Sequence, residues 1–392
     1  MNENKQNNQT VMRYVIFCAH YLPHVGGVER YTYNLASEII KNGNEVIVIT
    51  SLLDNHPLIE VVDSIKIYRV PSYLLLNGRF PIVKITKLYK NVLKMLKEYK
   101  PDLIIIQTRF YLLSLIGAIF SYKNKFKFIT IEHGTAHFSV NFPILDWIGH
   151  LYEHFITLIL KRYCINFYGV SSASNQWLMH FKIKSKDIIY NAVNIDDIEY
   201  NLQNPVMDYF NMLSLPNDAY IVAFIGRLLK QKGVMELIEA IKILNKTYKN
   251  LFLIIAGVGE LQDKIFNETN HNIRFLGQID FKNVIAVLKQ ANIFCLPTIY
   301  PEGLPTSILE AAACKCFIIS TTSGGTKELI VNESYGIINQ DNTINSICRS
   351  IKQVIENPTY RLQAIELTYQ RLLSDFSWNK NIVILKKIIK GE

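Results

Sequence analysis

The chain has 392 residues, of which 49% are hydrophobic and 19% charged, so it can form the cores of two or three domains and is not a disordered chain. Basic residues exceed acidic ones by nine, and seven of these nine charges fall within residues 1–198. No apolar stretch reaches the ~18 residues that span a bilayer, and the polar first ten residues do not resemble a signal peptide. We therefore expect a cytoplasmic protein, or one that is peripheral on the cytosolic face of a membrane.

Short apolar runs alternate with segments of helical period along the chain, which is the pattern of a parallel sheet built from β-α-β units. In the first half this pattern predicts strands at 14–19, 45–50, 65–70, 103–107, 126–131, 166–170 and 187–190, and helices at 28–41 and 82–100. In the second half it predicts strands at 219–225, 251–256, 273–276, 293–296 and 317–320, and helices at 234–247, 282–290 and 306–314. The six cysteines lack metal-site spacing and are expected to be reduced thiols.

The two series of elements predict two doubly wound α/β domains. The polar segment 196–216 contains two prolines and no sustained period, and we predict the junction there. The predicted domains are 1–195 and 217–374, followed by a last segment at 375–392. Two such domains imply a ligand cleft at the carboxyl ends of their strands.

The strongest candidate site is the loop and helix start at 301–310. The loop follows a predicted strand and presents backbone N–H groups and the positive end of a helix, which favour an anion. Thr306 is the expected N-cap of that helix. Glu302 precedes the helix and Glu310 lies about one turn inside it, and both carboxylates can accept hydrogen bonds from sugar or ribose hydroxyls. A capped helix with two solvated glutamates fits the spacing equally well.

A second candidate is the basic loop 226–233, directly after the predicted strand 219–225. Arg227 and Lys232 lie where ligands bind in open parallel sheets. A guanidinium can bind two phosphate oxygens and an ammonium supplies a point charge. Basic residues in such a loop are also common by chance.

Glycines or a histidine follow four further predicted strands. Gly26 and Gly27 lack the G-x-G-x-x-G pattern of dinucleotide sites, and a tight turn is the simpler interpretation. His133 is a lone histidine, which is more often structural than catalytic. Loops with Gly257 and Gly259, and with the pair at 324–325, lie at the same predicted sheet edge. Taken together, the loops predict a cleft that holds a diphosphate attached to hydroxylated rings.

The order and spacing of these motifs resemble the retaining glycosyltransferases of family 4, which have the GT-B fold of two Rossmann-like doubly wound domains facing a central cleft. The resemblance extends from about residue 13 to 390. It rests on Gly-Gly-Val-Glu-Arg at 26–30, His133-Gly134, Gly226-Arg227-Leu228 with Lys232-Gly233, Glu302-Gly303-x-Pro305 with Glu310, Gly324-Gly325 with Glu328, and Phe376-Ser377-Trp378. The stretch Asn191-Ala192-Val193-Asn194 departs from the usual Asn-Gly-Val-Asp.

The resemblance implies retaining, metal-independent transfer of a hexose-type sugar from a UDP- or GDP-linked donor. The implied acceptor is a glycan or a polyprenyl-linked glycan in surface polysaccharide synthesis, and no cofactor or metal is implied. The last helix would cross back to the first domain. A catalytically inert GT-B subunit, or a nucleotide-sugar epimerase or phosphorylase with the same fold, remains as an alternative. Nucleic-acid binding is least favoured, because the basic residues do not alternate with base-stacking aromatics.

The resemblance also implies roles for single residues. Arg227 and Lys232 would neutralise the departing diphosphate, Glu302 would bind the donor sugar, and His133 would lie near the transferred sugar; these four form the implied catalytic set. The implied donor-binding residues are Gly26, Gly27, Gly226, Gly257, Gly259, Gly303, Leu304, Pro305, Thr306 and Glu310, of which Glu310 would bind the ribose.

Two segments of the first half suggest a membrane surface. The predicted helix 82–100 has five lysines on one face, which favours either anionic lipid headgroups or an ordinary solvated face. These lysines are Lys84, Lys87, Lys90, Lys94 and Lys97. The apolar, aromatic segment 145–160 would line an acceptor groove or enter the membrane interface.

Overall fold

The computed structural model describes residues 11–24, 26–53, 56–76, 78–139 and 142–392. The chain divides into two units. The first comprises the residues up to Val170, Ser174–Ile189 and Trp378–Glu392, and the second comprises Ser171–Ala173 and Tyr190–Ser377. The final helix thus belongs to the first unit.

Within the described residues, the first unit contains a nine-stranded, mostly parallel sheet. Its order is β3-β4-β2-β1-β6-β7-β8-β9, with β5 paired to β4. The strands β1 and β6 are buried on both faces, as their apolar runs predict. The strands are β1 (Arg13–Phe17), β2 (Glu45–Leu52), β3 (Ile59–Val62), β4 (Ile65–Leu75), β5 (Phe80–Val83), β6 (Leu103–Gln107), β7 (Phe128–Glu132), β8 (Phe167–Gly169) and β9 (Asp187–Ile188).

The second unit contains a six-stranded sheet in which every pairing is parallel. Its order is β12-β11-β10-β13-β14-β15, which is the doubly wound order with the crossover direction reversing between β10 and β13. The strands are β10 (Tyr220–Ile225), β11 (Leu251–Ala256), β12 (Ile273–Phe275), β13 (Ile293–Leu296), β14 (Phe317–Thr321) and β15 (Ile337–Asn339).

The helices in chain order are α1 (Gly27–Lys41), α2 (Lys87–Tyr99), α3 (Leu112–Lys123), α4 (Pro143–Leu160), α5 (Ser172–His180), α6 (Ile195–Gln203), α7 (Tyr209–Met212), α8 (Val234–Leu244), α9 (Gln262–Asn267), α10 (Phe281–Gln290), α11 (Thr306–Ala313), α12 (Thr326–Leu329), α13 (Ile344–Glu356), α14 (Pro358–Asp375) and α15 (Trp378–Lys390). A 3₁₀ turn covers Lys230–Lys232. Among the described residues, no helix combines the length and the apolar character needed to cross a bilayer. All six cysteines are free thiols.

The predicted helix 82–100 is wrong in its first turn. Residues 80–83 form β5, antiparallel to β4, with Ile82 opposite Tyr73. The helix begins only at Lys87, after Thr86, whose side chain accepts a hydrogen bond from the Tyr89 N–H at 3.2 Å. Pro81 and the β-branched pair that follows favour an extended edge over a helix. Lys84 therefore lies outside the amphipathic helix.

The stretch predicted as an irregular junction, 196–216, is also more regular than its polarity indicates. It folds as α6 and α7 of the second unit. Asn194 and Asp208 supply the N-caps of the two helices, accepting hydrogen bonds from backbone N–H groups. Buried Ile198 and Tyr209 anchor these helices to the core of the unit.

Candidate functional site

The candidate site in the second unit lies at the carboxyl ends of two neighbouring strands, where the crossover direction of the sheet reverses. The strands β10 and β13 pair in parallel, and the loops 226–233 and 297–305 follow their carboxyl ends. Ligands of open α/β sheets bind at such a topological switch point. The two strongest motifs of the sequence are thus brought together.

A buried lysine is the main electrostatic feature of this place. Lys232 is only 6% exposed, and its Nζ contacts the carboxylate of Glu302. The Nζ lies 5.2 Å from the centre of the Tyr300 ring, and Cζ of the exposed Arg227 lies 5.0 Å from the same ring. Two cationic side chains therefore lie near one aromatic ring, and one of them contacts a carboxylate.

The environment of Lys232 disfavours its charged form. Burial, and after it the positive charge of Arg227, lower the pKa of Lys232 from 10.5 to about 7. An additional anion would favour the charged lysine, so the arrangement suits a negatively charged ligand.

The helix α11 opens onto the same loops, but its N-terminus differs from the prediction. Pro305 occupies the N-cap position, and Thr306 is the first helical residue, so the expected Thr306 cap is wrong. Thr306 instead accepts a hydrogen bond from Asn191 Nδ2 at 2.9 Å, which also donates to the Leu304 carbonyl at 2.9 Å. Asn191 thus fixes the loop, a role that its sequence position does not reveal.

The two predicted carboxylates differ in exposure. Glu310 is 3% exposed within α11, whereas Glu302 is half-buried on the loop that precedes the helix. Burial of Glu310 excludes the interpretation of two solvated glutamates. Gly303 lies on the loop between them, and its carbonyl accepts a hydrogen bond from the Gly325 N–H at 2.7 Å.

The glycine loops pack directly on the cationic and acidic loops. At Gly257, with φ of +143°, a Cβ atom would overlap the carbonyl of Gly226. Gly259 lies beside the carbonyl of Leu228 in the same way. These contacts bring the loop after β11 against the loop that carries Arg227. Close packing of the two loops therefore requires glycine at both positions.

Gly324 is confined in a similar way, which gives a testable consequence. Its φ is +61°, and a Cβ atom would overlap the backbone carbonyl of Glu302. Gly277 has a similar φ of +66°, but a Cβ there would meet no described atom within 4 Å. We expect Gly324→Ala to lower stability by about 1–3 kcal/mol more than Gly277→Ala, because only the former adds a steric overlap. Calorimetric melting of both variants measures this difference, and equal melting temperatures would contradict the overlap.

In the first unit, His133 follows β7 and is enclosed by its neighbours. Its Nε2 lies 2.7 Å from Oε1 of the buried Gln107, and its ring lies edge-on to Tyr31 at 4.7 Å between centres. Burial lowers the pKa of His133 to about 3, so the ring is neutral at pH 7. Because an amide oxygen only accepts, Nε2 carries the proton and Nδ1 carries the lone pair.

Next to His133 lies a buried charge network that the sequence analysis missed. Arg109, 1% exposed, donates to Glu132 at 2.5 Å and to Glu153 at 3.0 Å. Oε1 of Glu132 accepts from the N–H groups of His133 and Gly134 at 3.1 and 2.9 Å. The network therefore holds the His133 loop. An arginine two residues after the buried strand β6 is the signal that would have indicated it.

The glycine pair of the first unit lies at the N-terminus of α1, beside the carboxylate of Glu29. Gly26 is the N-cap and Gly27 the first helical residue. The buried carboxylate of Glu29 lies against Gly26 and 3.5 Å from His24 Nδ1, and the hydrogen bond to Glu29 raises the pKa of His24. Val25, inside the same motif, lies outside the described residues.

The structure thus assembles one set of predicted residues within the second unit, comprising Gly226, Arg227, Lys232, Gly257, Gly259, Glu302, Gly303, Leu304, Pro305, Thr306 and Glu310. The remaining predicted residues, Gly26, Gly27 and His133, belong to the first unit. Asn191 and Tyr300 join the set of the second unit, and Gln107 and Arg109 join that of the first.

Two family models match the two halves of the chain. Residues 25–197 match the family "Glycosyltransferase Family 4", and residues 208–371 match "Glycosyl transferases group 1". An uncharacterized glycosyltransferase of Methanocaldococcus jannaschii is 27% identical over 398 residues, covering 97% of this chain and 98% of that protein.

Solved structures show the same fold. The crystal structure of Anabaena HepE in complex with UDP has a TM-score of 0.75 at 16% identity, covering 97% of this chain and 100% of that chain. The same protein is also solved with UDP-glucose. Sucrose-phosphate synthase from Thermosynechococcus elongatus has a TM-score of 0.74 at 18% identity, covering 97% and 98%. The predicted GT-B fold of two Rossmann-like domains is confirmed, and the chain belongs to the glycosyltransferases, with a family 4 first half and a group 1 second half.

Proposed function

We propose that this glycosyltransferase takes a hexose from a UDP-linked donor without a metal ion and transfers it with retention of the anomeric configuration. The observation that carries the proposal is the buried Lys232 beside Arg227 at the switch point between β10 and β13. Two neighbouring cations are suited to stabilise the charge that develops on a departing diphosphate, and such electrostatic stabilisation usually contributes most to the rate enhancement.

The remaining groups of the second unit complete a donor site. The loop ahead of α11, fixed by Asn191, presents the positive end of a helix to phosphate oxygens. The carboxylates of Glu302 and Glu310 accept hydrogen bonds from hydroxyls, and we assign them to the donor sugar and the ribose. In the first unit, the neutral His133 offers Nδ1 as a hydrogen-bond acceptor.

The proposed step is front-face substitution. The bond between the anomeric carbon and the diphosphate oxygen breaks, and the acceptor oxygen bonds to the same face of the sugar. The acceptor proton passes to the departing diphosphate oxygen, so no protein nucleophile is needed. Arg227 and Lys232 stabilise the diphosphate as its charge grows. The UDP and UDP-glucose complexes of HepE support a uridine nucleotide as the donor.

Donor binding is expected to weaken as the pH rises above about 7. The pKa of Lys232 is lowered to about 7 in the free protein, and a bound diphosphate raises it, so binding above that pH must take up a proton. The dissociation constant of UDP-glucose should then rise by up to about tenfold per pH unit until the bound-state pKa is reached. UDP-glucose is the suitable probe because, unlike UDP, it has no terminal phosphate group that titrates near pH 6. Calorimetric titration from pH 6 to 9 measures the slope, and the same slope in Lys232→Ala would exclude Lys232 as its origin.

For the acceptor we propose a lipid-linked glycan at an anionic membrane surface. Helix α4 exposes large apolar side chains, among them Trp147 at 63% and Phe155 at 61%. Four lysines of α2, at 87, 90, 94 and 97, are also exposed. An apolar helix face and a row of cations in the same unit favour contact with lipid headgroups and acyl chains.

Flotation with liposomes that contain anionic lipid tests this surface. We expect the chain to float and the variant Trp147→Ser/Phe155→Ser to float much less. Phe266→Ser, at an equally exposed phenylalanine of the second unit, is the matched control and should float like the unmodified chain. Equal flotation of all three proteins would exclude α4 as the lipid contact.

The stereochemistry of donor turnover tests the proposed reaction itself. The α-linked sugar of UDP-[¹³C]glucose, transferred slowly to water, should first appear as α-glucose in time-resolved NMR spectra. Release of β-glucose would show inversion and contradict the proposal. A free sugar of altered ring configuration would instead identify an epimerase.

A further inference from the structure

Four of the nine histidines of the chain lie together in the first unit. His137 lies between β7 and α4, His150 and His154 lie one turn apart on α4, and His180 ends α5. The His137 ring stacks on the His150 ring at 4.1 Å, and its centre lies 5.5 and 5.2 Å from those of His154 and His180. None of these histidines belongs to the predicted donor or catalytic residues.

Three of the four rings each contribute one nitrogen atom to a compact group. One ring nitrogen each of His137, His154 and His180 lie within 4.8 Å of one another. The Nε2 atoms of His154 and His180 are 3.3 Å apart. A tetrahedral zinc ion with Zn–N bonds of about 2.0–2.1 Å separates its ligand nitrogens by about 3.3–3.4 Å. The pair already has the spacing of two zinc ligands.

A buried carboxylate orients the third ring. Nδ1 of His137 lies 2.9 Å from Oε2 of Glu153, and since a carboxylate accepts, Nδ1 is the donor and Nε2 offers its lone pair. Glu153 is in turn fixed by Arg109 at 3.0 Å and by the Phe138 N–H at 2.7 Å. A carboxylate behind a histidine is the usual outer partner of a metal-binding imidazole.

The surroundings hold the rings in place while leaving the site accessible. Trp177 stacks on His180 with ring centres 4.8 Å apart, and Phe181 lies 4.8 Å from His154. His154 and His180 are exposed and His137 is half-buried. An ion can therefore enter from solvent, and a fourth coordination position faces outward.

We propose that His137, His154 and His180 bind one divalent transition-metal ion, with zinc as the expected metal and a solvent molecule as the fourth ligand. Three neutral imidazoles are the ligand set of an open zinc site. The proposal does not rest on the sugar-transfer reaction, because its ligands are all outside the donor residues.

Zinc binding by the full-length chain, produced without a histidine tag, tests the site. We expect one equivalent of Zn²⁺ per chain, measured by competition with a chromophoric chelator, and a tetrahedral visible spectrum with Co²⁺. His154→Ala and His180→Ala should each lower the zinc affinity at least tenfold and abolish that spectrum. Both side chains are exposed, so the variants should melt at the temperature of the unmodified metal-free chain.

His271→Ala is the matched control, because His271 is an exposed histidine of the second unit. It should bind zinc like the unmodified chain. Zinc affinity that survives both His154→Ala and His180→Ala would overturn the proposal. Binding of less than one equivalent, or a loss of the same size in His271→Ala, would likewise overturn it.

Discussion

Replacement of Lys232 by alanine is expected to lower kcat/KM for the UDP-sugar donor by about 10²- to 10³-fold, the usual loss when one preorganised group that stabilises developing charge is removed. The expectation follows from the burial of Lys232, since an ion pair formed away from water is stronger than one at the surface. Initial rates of donor consumption at pH 7 measure the loss.

Lys230→Ala is the matched control for this experiment. Lys230 lies two residues earlier in the same 3₁₀ turn, but its side chain is exposed. We expect its kcat/KM to stay within about twofold, because Lys230 is exposed and lies outside the proposed donor-binding residues. If both variants lost activity equally, general attraction of the donor would explain the effect and the specific role of Lys232 would be wrong.

Replacement of Arg109 by methionine should destabilise the first unit by about 3–5 kcal/mol, because it leaves the buried carboxylates of Glu132 and Glu153 without their cation. All three tryptophans, at 147, 177 and 378, belong to this unit. Tryptophan fluorescence during urea unfolding therefore reports on the first unit alone. A large shift of the transition to lower urea is the expected result.

Arg13→Met provides the comparison for Arg109. The side chain of Arg13 is 40% exposed, and its Nε lies 3.9 Å from Asp102. Such a surface pair contributes about 1 kcal/mol or less. An unfolding midpoint for Arg109→Met no lower than that of Arg13→Met would show that the buried carboxylates do not need the arginine.

The alternation of apolar runs and helical segments predicts most of the fold because strands buried on both faces need continuous apolar sequence. It fails at 80–86, where Ile82 and Ile85 happen to keep a helical spacing. Ile82 pairs across β5 and β4, and Ile85 is exposed. Pairing with the preceding strand β4 decides the structure there, in line with the extended preference of Pro81 and the β-branched pair that follows it.

The sequence predicts those site residues that directly follow a strand. Arg227 and Lys232 follow β10 directly, so their place at the sheet edge follows from chain order. Asn191 was missed because its partners, Leu304 and Thr306, lie 113 and 115 residues away. Glu153 is likewise 44 residues from Arg109, so the place of Arg109 two residues after β6 indicates a buried charge but not its partners.

In the proposed reaction, two cations of the second unit hold a nucleotide diphosphate without a metal ion. Thermal stabilisation by UDP, GDP and ADP, each with and without EDTA, tests it most directly. A ligand at 100 times its dissociation constant adds about 2.7 kcal/mol of stability. We predict that UDP raises the melting temperature equally with and without EDTA, and that Arg227→Ala abolishes the shift. Stabilisation that disappears with EDTA would show that a metal ion holds the nucleotide, and stabilisation that persists in Arg227→Ala would exclude Arg227 from the diphosphate site.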